Sequence, residues 1–256
     1  MHPILFQIGK LSIHSYGFML AIGFALSLVL FLRLGKQEGF KEDNLLDLAI
    51  VAIISGLLGA RLFYVFFYDW TYFSQHLLEI FDPRSQGLVF YGSLILGIPV
   101  TLLYVKYKKM SFWKVTDLFA PFVALGYAFT RIGCFLNGCC FGKPTDLPWA
   151  VVFPNLDLLP RHPTQIYSSI ISFGLFALLY WLYKRRRFDG QIFAVYLVLY
   201  STIRFMIEFL RENLVVWQGL TIAQVIAAGG IVIGGILYLW LAKKPLQNDV
   251  VIKGEE

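Results

Sequence analysis

The stretch VTDLFAPFVALGYAFTRIGCFLNGCCFGKPT, residues 115–145, decides the fold class because a long apolar run in it ends in a dense polar segment. The run from Val115 to Phe135 is long enough to cross a hydrocarbon core as a helix, which takes roughly 20 residues. The polar segment places Arg131 and all three cysteines of the chain within ten positions. It is a candidate metal site, a candidate disulfide, or a pocket for an anion at the edge of a membrane.

The composition of the whole chain is that of a membrane protein. Of the 256 residues, 58% are hydrophobic and 15% are charged, whereas an average soluble domain has roughly 25% charged residues. The N-terminus shows no signal-peptide pattern, so the first span is expected to remain. We predict an all-α integral membrane protein, with residues 1–256 forming a single membrane-embedded domain. The seven predicted spans are about 16–34, 45–68, 88–107, 115–135, 164–183, 191–210 and 220–241.

The positions of lysine and arginine predict the orientation, because cytoplasmic loops carry the excess of these residues. With the N-terminus outside and the C-terminus in the cytoplasm, the inner segments carry fourteen of these residues and the outer segments five. This asymmetry explains most of the net charge of +6 without a nucleic-acid partner. The inner set is Arg33, Lys36, Lys41, Lys106, Lys108, Lys109, Lys114, Lys184, Arg185, Arg186, Arg187, Lys243, Lys244 and Lys253; the outer set is Lys10, Arg84, Lys143, Arg161 and Arg211.

A stripe of polar side chains runs along one face of the sixth predicted span. In YSTIRFMIEFLRE, spacings of four, four and three place these side chains on one face of a helix. Arg204 and Glu208 are predicted to form an ion pair, since they are four residues apart. One carboxylate cannot satisfy two arginines, so the stripe keeps surplus positive charge. Its members are Tyr200, Arg204, Glu208 and Arg211.

Arg131 is the more unusual charge, because a charged side chain near a helix centre costs about 2.5 to 3.5 kcal/mol. Its own span offers only Asp117, about four turns away. Arg131 and Arg204, on separate helices, suit a bidentate grip on a phosphate at headgroup depth. In the alternative interpretation, Arg131 pairs with a carboxylate of another span or extends to the outer headgroups. Arg61 is also predicted to lie inside, without an assigned role.

The cysteines leave several interpretations open. A disulfide from Cys134 to Cys139 or Cys140 is permitted on the outer side of a membrane. A zinc site is disfavoured because C-x4-C-C lacks a second C-x-x-C or an H-x3-H pair, although His162 is a candidate fourth ligand. A catalytic thiol is less consistent with two adjacent cysteines than with a C-x-x-C pair. We therefore predict no metal.

Six motifs, collinear over nearly the whole chain, resemble those of the prolipoprotein diacylglyceryl transferases. The resemblance implies a bacterial cytoplasmic-membrane enzyme whose active site faces the outer, periplasmic leaflet. It implies transfer of the sn-1,2-diacylglyceryl group from phosphatidylglycerol to the lipobox cysteine of a preprolipoprotein, with release of glycerol phosphate and without a cofactor. The motifs are IHSYGFML (13–20), GARLFYVFFY (59–68), GLVFYGSLILG (87–97), RIGCFLNGCCFGKPT (131–145), LPRHPTQIY (159–167) and YSTIRFMIEFLRE (200–212).

The resemblance also implies roles for single residues. Arg131 and Arg204 match the arginines that hold the phosphate and support its departure. Tyr16 and Tyr200 match pocket tyrosines, and Asn137 with Gly138 matches a signature turn. The predicted catalytic residues are Arg131, Arg204 and Tyr91; the predicted substrate-binding residues are Arg131, Arg204, Tyr16, Tyr200, Asn137, Gly92 and Glu208.

Two departures from the family pattern affect the chemistry. Tyr91, Gly92 and Ser93 stand where relatives have His-Gly-Gly, and that histidine is the usual candidate for taking the thiol proton. Cys134 and Cys139 stand where relatives tend to have Asn and Glu. A tyrosine with a pKa near 10 is a poor base at neutral pH. Either the arginines lower the pKa of the incoming thiol while Tyr91 positions it, or Tyr91 gives up its own proton and then accepts the thiol's.

Two other functions remain open from the sequence. One is a paralogue that uses the same lipid pocket with a different acceptor, which Tyr91 and the cysteines suggest. The other is a non-catalytic lipid-binding or redox-sensing membrane protein built around the three thiols.

Overall fold

The structure is a computed structural model that describes residues 2–8, 11–81, 87–154, 156–213, 215–217 and 219–243. Four cations used to predict the orientation, Lys10, Arg84, Lys244 and Lys253, lie outside the described residues. The helices are α1 (Ser15–Gln37), α2 (Glu42–Phe67), α3 (Trp70–Phe73), α4 (Phe90–Tyr107), α5 (Phe112–Asn137), α6 (Thr164–Tyr183), α7 (Gln191–Glu208) and α8 (Ile222–Leu241), with a 3-10 helix at Leu77–Phe81. Three antiparallel hairpins join β1 (Ile4–Ile8) to β2 (Leu11–His14), β3 (Val151–Val152) to β4 (Pro160–Arg161), and β5 (Val215–Trp217) to β6 (Leu220–Thr221).

Six helices of the described chain are long and apolar enough to cross a membrane: α1, α2, α5, α6, α7 and α8. The prediction of a multi-pass helical membrane protein is therefore confirmed. The remaining predicted span, residues 88–107, is also a helix, α4, but its described apolar part, Tyr91–Tyr107, is shorter than these six. Its role as a seventh span stays a prediction.

The chain forms two compact units, one of Met1–Phe31 with Thr116–Glu256 and the other of Leu32–Val115. In the second unit, α2 packs along α4 through two glycines. A Cβ atom on Gly59 would lie 2.3 Å from the carbonyl oxygen of Gly92, and one on Gly92 would lie 2.2 Å from that of Gly59. Only residues without a side chain let two helix backbones meet this closely.

Arg61 is buried in the second unit, as predicted, and the structure gives it a role. Its Nε donates to the carbonyl oxygen of Ile80 at 2.9 Å, and its two terminal nitrogens donate to those of Glu79 and Gly87 at 3.0 and 3.2 Å. The guanidinium also lies 5.0 Å from the centre of the Phe73 ring. Arg61 therefore holds the connection between α3 and α4 against α2.

In the first unit, the buried carboxylate of Asp117 has a structural partner of its own. It accepts backbone hydrogen bonds from Gly190 at 2.7 Å and Phe193 at 2.8 Å, at the start of α7. A carboxylate at a helix N-terminus satisfies backbone donors that have no partner within the helix and interacts favourably with the helix dipole. Asp117 therefore serves to hold the start of α7. It lies at the opposite end of α5 from Arg131.

Candidate functional site

The chain reverses direction just after α5. Asn137 ends the helix, and Gly138 and Cys140 follow with φ angles of 78° and 66°, in the left-handed region. The backbone nitrogen of Cys139 donates to the carbonyl oxygen of Cys134 at 3.1 Å. A left-handed glycine after the last helical residue is a common way to end a helix. The resulting turn carries Cys139 and Cys140 back toward the last turn of α5.

The first residues of α6 hold this turn in place. The side chain of Gln165 donates to the carbonyl oxygen of Cys139 at 2.6 Å, and the hydroxyl of Thr164 donates to that of Cys140 at 3.0 Å. Two residues further on, a Cβ atom on Gly142 would lie 2.6 Å from the carbonyl oxygen of Leu210. The turn is therefore held between the first residues of α6 and the segment that follows α7.

Arg161, in β4, secures the same loop from outside the spans. Its guanidinium donates to Asp157 at 2.6 Å, to Glu212 at 3.2 Å and to the carbonyl oxygen of Gly142 at 3.2 Å. The Arg161 hydrogen bond lowers the pKa of the Asp157 carboxyl. This interaction therefore stabilises the fold at neutral pH, and its contribution is lost as the pH falls through the lowered pKa of Asp157.

Side chains from α5, the turn, α6 and α7 line one pocket. Three arginines point to it from different segments, which makes the pocket strongly positive. It is narrow, with free space for about one water, so a phosphate must separate the side chains as it enters. The lining residues are Tyr127, Arg131, Cys140, Thr164, Ser168, Tyr200, Ile203, Arg204, Ile207 and Arg211.

Arg131 enters this pocket without a carboxylate partner among the described residues. Its Nε is buried and donates no hydrogen bond to any described atom. The guanidinium lies 4.6 Å from the centre of the Tyr127 ring, a cation–π contact that does not neutralise the charge. Within the described chain, the alternative in which Arg131 pairs with a carboxylate of another span is therefore excluded.

The predicted ion pair between Arg204 and Glu208 is confirmed, with 2.5 Å between Nη1 and Oε2. Glu208 is only 2% exposed, and its other oxygen accepts from Asn213 at 2.6 Å and from Thr221 at 3.0 Å. Glu208 therefore orients Arg204 and does not itself line the pocket. Arg211, on the same stripe, has a buried Nε without a hydrogen-bond partner among the described residues, so the predicted surplus of positive charge is present.

The remaining predicted pocket residues of the first unit divide into two groups. Tyr200 lines the pocket, with its ring edge-on to Tyr127 at 5.5 Å between centres. Tyr16 and Asn137 do not line it. Tyr16 packs its backbone against Gly133, where a Cβ atom would lie 3.1 Å from the Tyr16 Cα; Asn137 ends α5 and leads into the turn.

Tyr91 and Gly92 belong to the second unit, in the first turn of α4. The Tyr91 side chain is 58% exposed. Gly92 contacts the backbone of α2, so the contact observed for this predicted substrate-binding residue is one of helix packing.

Replacing Gly92 with alanine is expected to destabilise the protein by about 2 kcal/mol or more, because the new methyl group meets a backbone carbonyl that cannot turn away. Gly174→Ala in α6 is the matched control, since a Cβ atom there meets nothing within 4 Å. Thermal unfolding in detergent distinguishes the two variants. Equal melting temperatures for both would show that Gly92 does not act through packing.

Seven pocket residues are absent from the sequence-based site: Tyr127, Cys140, Thr164, Ser168, Ile203, Ile207 and Arg211. The helical period contains the signal for two of them. Tyr127 precedes Arg131 by four residues, and Arg211 follows Arg204 by seven, so each shares a helix face with a predicted arginine. Thr164 and Ser168 are also four residues apart, but α6 carries no charged residue that would indicate a functional site on that face.

The three cysteines are free, so the disulfide that the sequence left open is not present. Their sulfur atoms lie within 4.8 Å of one another. Hydrogen bonds from the Cys134 and Cys139 thiols, and then the charges of Arg131 and Arg211, lower the pKa of Cys140. The argument against a metal site considered only the spacing of the cysteines in the sequence, whereas the turn after Asn137 brings all three thiols together.

The fold and the pocket define a class: a multi-pass helical membrane protein with an internal pocket lined by three arginines. The chain belongs to the prolipoprotein diacylglyceryl transferase family, whose profile matches residues 3–240. It is 36% identical over 250 residues to the phosphatidylglycerol–prolipoprotein diacylglyceryl transferase of Finegoldia magna, covering 97% of this chain and 99% of that one. Enzymes of the same name from Bordetella parapertussis (40% over 252 residues, 95% and 96% covered) and Clostridioides difficile (37% over 248 residues, 97% and 98% covered) are similar along their whole length.

Proposed function

We propose that this protein transfers the sn-1,2-diacylglyceryl group of phosphatidylglycerol to the lipobox cysteine of preprolipoproteins, the first step of lipoprotein maturation. The names of its relatives state this activity. The observation in the structure that carries the proposal is Arg131, a buried cation that faces a pocket without a carboxylate partner among the described residues. A charged side chain inside a membrane is costly without a partner, and an anion that enters the pocket supplies one.

The phosphate of phosphatidylglycerol is the anion that fits. It carries one negative charge in the lipid, and a second develops when the glycerol phosphate leaves. The thiol sulfur attacks the glyceryl carbon, the C–S bond forms, and the electron pair of the broken C–O bond leaves with the phosphate oxygen. Arg131, Arg204 and Arg211 surround the pocket where that charge grows, and fixed cations at such a position lower the barrier.

In this proposal the two catalytic arginines, Arg131 and Arg204, are held in place by different contacts. Glu208 holds Arg204 in one orientation before the lipid arrives, so little reorganisation is needed during the reaction. Arg131 contacts the Tyr127 ring, and its buried Nε, which donates to no described atom, is available to the phosphate. Tyr200 shapes the space for the headgroup from within the pocket. Tyr16, which packs against Gly133 of α5, is proposed to contact the headgroup once the lipid has entered.

The proposed topology places seven spans in the bacterial cytoplasmic membrane, with the N-terminus outside, the C-terminus in the cytoplasm and the pocket toward the outer leaflet. The whole chain then acts as one transferase domain. The lysine and arginine distribution supports this orientation, and the apolar α4 supports the seventh span. Alkaline phosphatase fused after Lys109 is expected to be inactive, and fused after Asp146 to be active; the reverse pattern would refute the orientation.

Tyr91 is the third proposed catalytic residue, and Tyr91→Phe separates its two hypothetical roles. We expect turnover within about threefold of the parent protein, because a phenol is a poor base at neutral pH and the ring alone suffices to position the thiol. The initial rate of transfer to a lipobox peptide measures this. A loss of about 100-fold or more would instead assign the proton transfer to the Tyr91 hydroxyl.

The proposed function is tested with membranes from cells that lack their own transferase and express this protein. Labelled phosphatidylglycerol and a lipobox peptide are expected to give diacylglyceryl peptide, and a peptide with serine in place of the cysteine should give none. Absence of product from correctly folded protein would overturn the proposal. Transfer to another thiol but not to the lipobox peptide would identify a paralogue with a different acceptor.

A further inference from the structure

We propose that Cys134, Cys139 and Cys140 form a zinc site with one open coordination position, and that this position takes the thiol of the acceptor cysteine. The metal-binding part stands on the geometry of the three thiols alone. The part that concerns the acceptor rests on the proposed function, because it names how that reaction obtains its nucleophile.

The three thiols are arranged as metal ligands need to be. Their sulfur atoms lie within 4.8 Å of one another. Tetrahedral zinc with Zn–S bonds of about 2.3 Å places its sulfur ligands about 3.8 Å apart, so each pair of thiols closes by about 1 Å at most. A disulfide bond would join only two of the three thiols and leave the third without a partner in the cluster. The cluster fits a metal better than it fits a disulfide.

The cluster offers three ligands and leaves a fourth position vacant. Among the described residues, no histidine, aspartate or glutamate joins the three thiols to complete a tetrahedral set. Structural zinc sites are closed by four protein ligands, whereas catalytic sites keep three and leave one position for water or substrate. A soft ligand is favoured at the fourth position of a thiolate site, and the acceptor of the proposed reaction is itself a thiol.

The site also lies beside the phosphate. Cys140 lines the same pocket as Arg131 and Arg211, so a metal bound to Cys140 is close to the lipid carbon under attack. Zinc with three thiolates and an anionic fourth ligand carries two net negative charges, and the phosphodiester carries a third. Two arginines without carboxylate partners in the described chain, Arg131 and Arg211, offset two of these three charges. Such compensation is needed for charges buried in a membrane.

The proposed reaction requires a group that removes the proton of the acceptor thiol, and a metal in this cluster can do so. None of its described lining residues is a carboxylate or a histidine, so the lining offers no ordinary base for the acceptor thiol. Zinc deprotonates a thiol on coordination. Binding of Zn²⁺ together with one water releases four protons, three from the cysteines and one from that water, which stays on the metal as hydroxide. The acceptor thiol then gives its proton to the hydroxide and displaces it as water. After C–S bond formation the product is a thioether, a weaker ligand than a thiolate, and it leaves the metal.

The first experiment measures zinc on the full-length, reduced protein in detergent. We expect one zinc per chain after loading and dialysis, and less than about 0.1 in the variant with Cys134→Ser, Cys139→Ser and Cys140→Ser combined. Each single substitution is expected to weaken zinc binding by about 100-fold. Lys143→Ala, at an exposed position in the same segment, is the control and should retain one zinc. Less than about 0.2 zinc per reduced parent chain would overturn the inference.

The second experiment tests the open position with cobalt(II) in place of zinc. The thiolate-to-cobalt charge-transfer absorption is expected to rise by about one third when a lipobox peptide adds a fourth thiolate to the three of the protein. A peptide with serine in place of the cysteine should cause no rise. An unchanged spectrum with the cysteine peptide would show that the position does not take the acceptor.

The third experiment separates this inference from the proposed function. Zinc removal is expected to lower diacylglyceryl transfer by at least about 100-fold, and added zinc should restore it. If the zinc-free protein and the triple serine variant transfer the group at the parent rate, the inference is wrong and the proposed function stands. If zinc and the peptide bind as described but no preparation transfers the group, the proposed function is wrong and the metal site stands.

Discussion

Replacing Arg131 with alanine is expected to lower the kcat/KM for diacylglyceryl transfer by about 10³-fold, or about 4 kcal/mol in the barrier. The guanidinium is one of two pocket cations without a carboxylate partner in the described chain, and the alanine variant removes all of its donors at once. The effect should fall mainly on kcat, because the phosphate gains charge as the C–O bond breaks. Initial rates in lipid nanodiscs with a lipobox peptide measure it.

Two further variants define what Arg131 contributes. Arg131→Lys keeps the positive charge but loses the bidentate geometry, so it should recover part of the activity. Lys143→Ala removes an exposed cation from the same segment and should leave the rate unchanged. An Arg131→Ala variant within about threefold of the parent protein would contradict the phosphate-binding role.

Replacing Glu208 with alanine is expected to destabilise the protein by about 3 to 5 kcal/mol and to reduce transfer by at least about 100-fold. The carboxylate is buried and accepts hydrogen bonds from Arg204, Asn213 and Thr221. Removing one partner of a buried ion pair leaves the other charge uncompensated. Arg204 then also loses the orientation that the proposed reaction uses.

The chain offers a matched control for Glu208. Glu212 is four residues further on, and its side chain is 70% exposed although it also contacts an arginine. An exposed ion pair contributes at most about 1 kcal/mol, so Glu212→Ala should shift the melting temperature far less. Thermal unfolding in detergent compares the two variants. Similar shifts would mean that the Glu208 network does not support the fold.

The parts of the fold and site that the sequence predicts correctly depend on local periodicity. Apolar runs predict the six spans, since each helix buries its backbone polar groups within one continuous segment. The four-residue spacing of Arg204 and Glu208 predicts their ion pair, which is confirmed. The absence of an acidic residue near Arg131 in its span correctly indicates a charge without a local partner.

The parts that the sequence misses depend on contacts between distant segments. Thr164 and Gln165 hold the cysteine turn from α6, and no spacing within residues 131–145 contains that information. The proximity of the three thiols follows from the left-handed turn at Gly138 and Cys140. Gly92 was predicted to bind substrate from family resemblance, while its neighbour in the structure is Gly59 of α2. Motif position indicates that a residue matters but not which contact it makes.

The most direct test of the central claim measures lipid binding to the parent protein and to Arg131→Ala. Phosphatidylglycerol and a diacylglycerol with the same acyl chains differ by the glycerol phosphate, so their comparison isolates the headgroup. Native mass spectrometry in detergent is expected to show at least about tenfold tighter binding of phosphatidylglycerol to the parent protein, and loss of this preference in the variant. Equal preference in both proteins would contradict the assignment of Arg131 to the lipid phosphate.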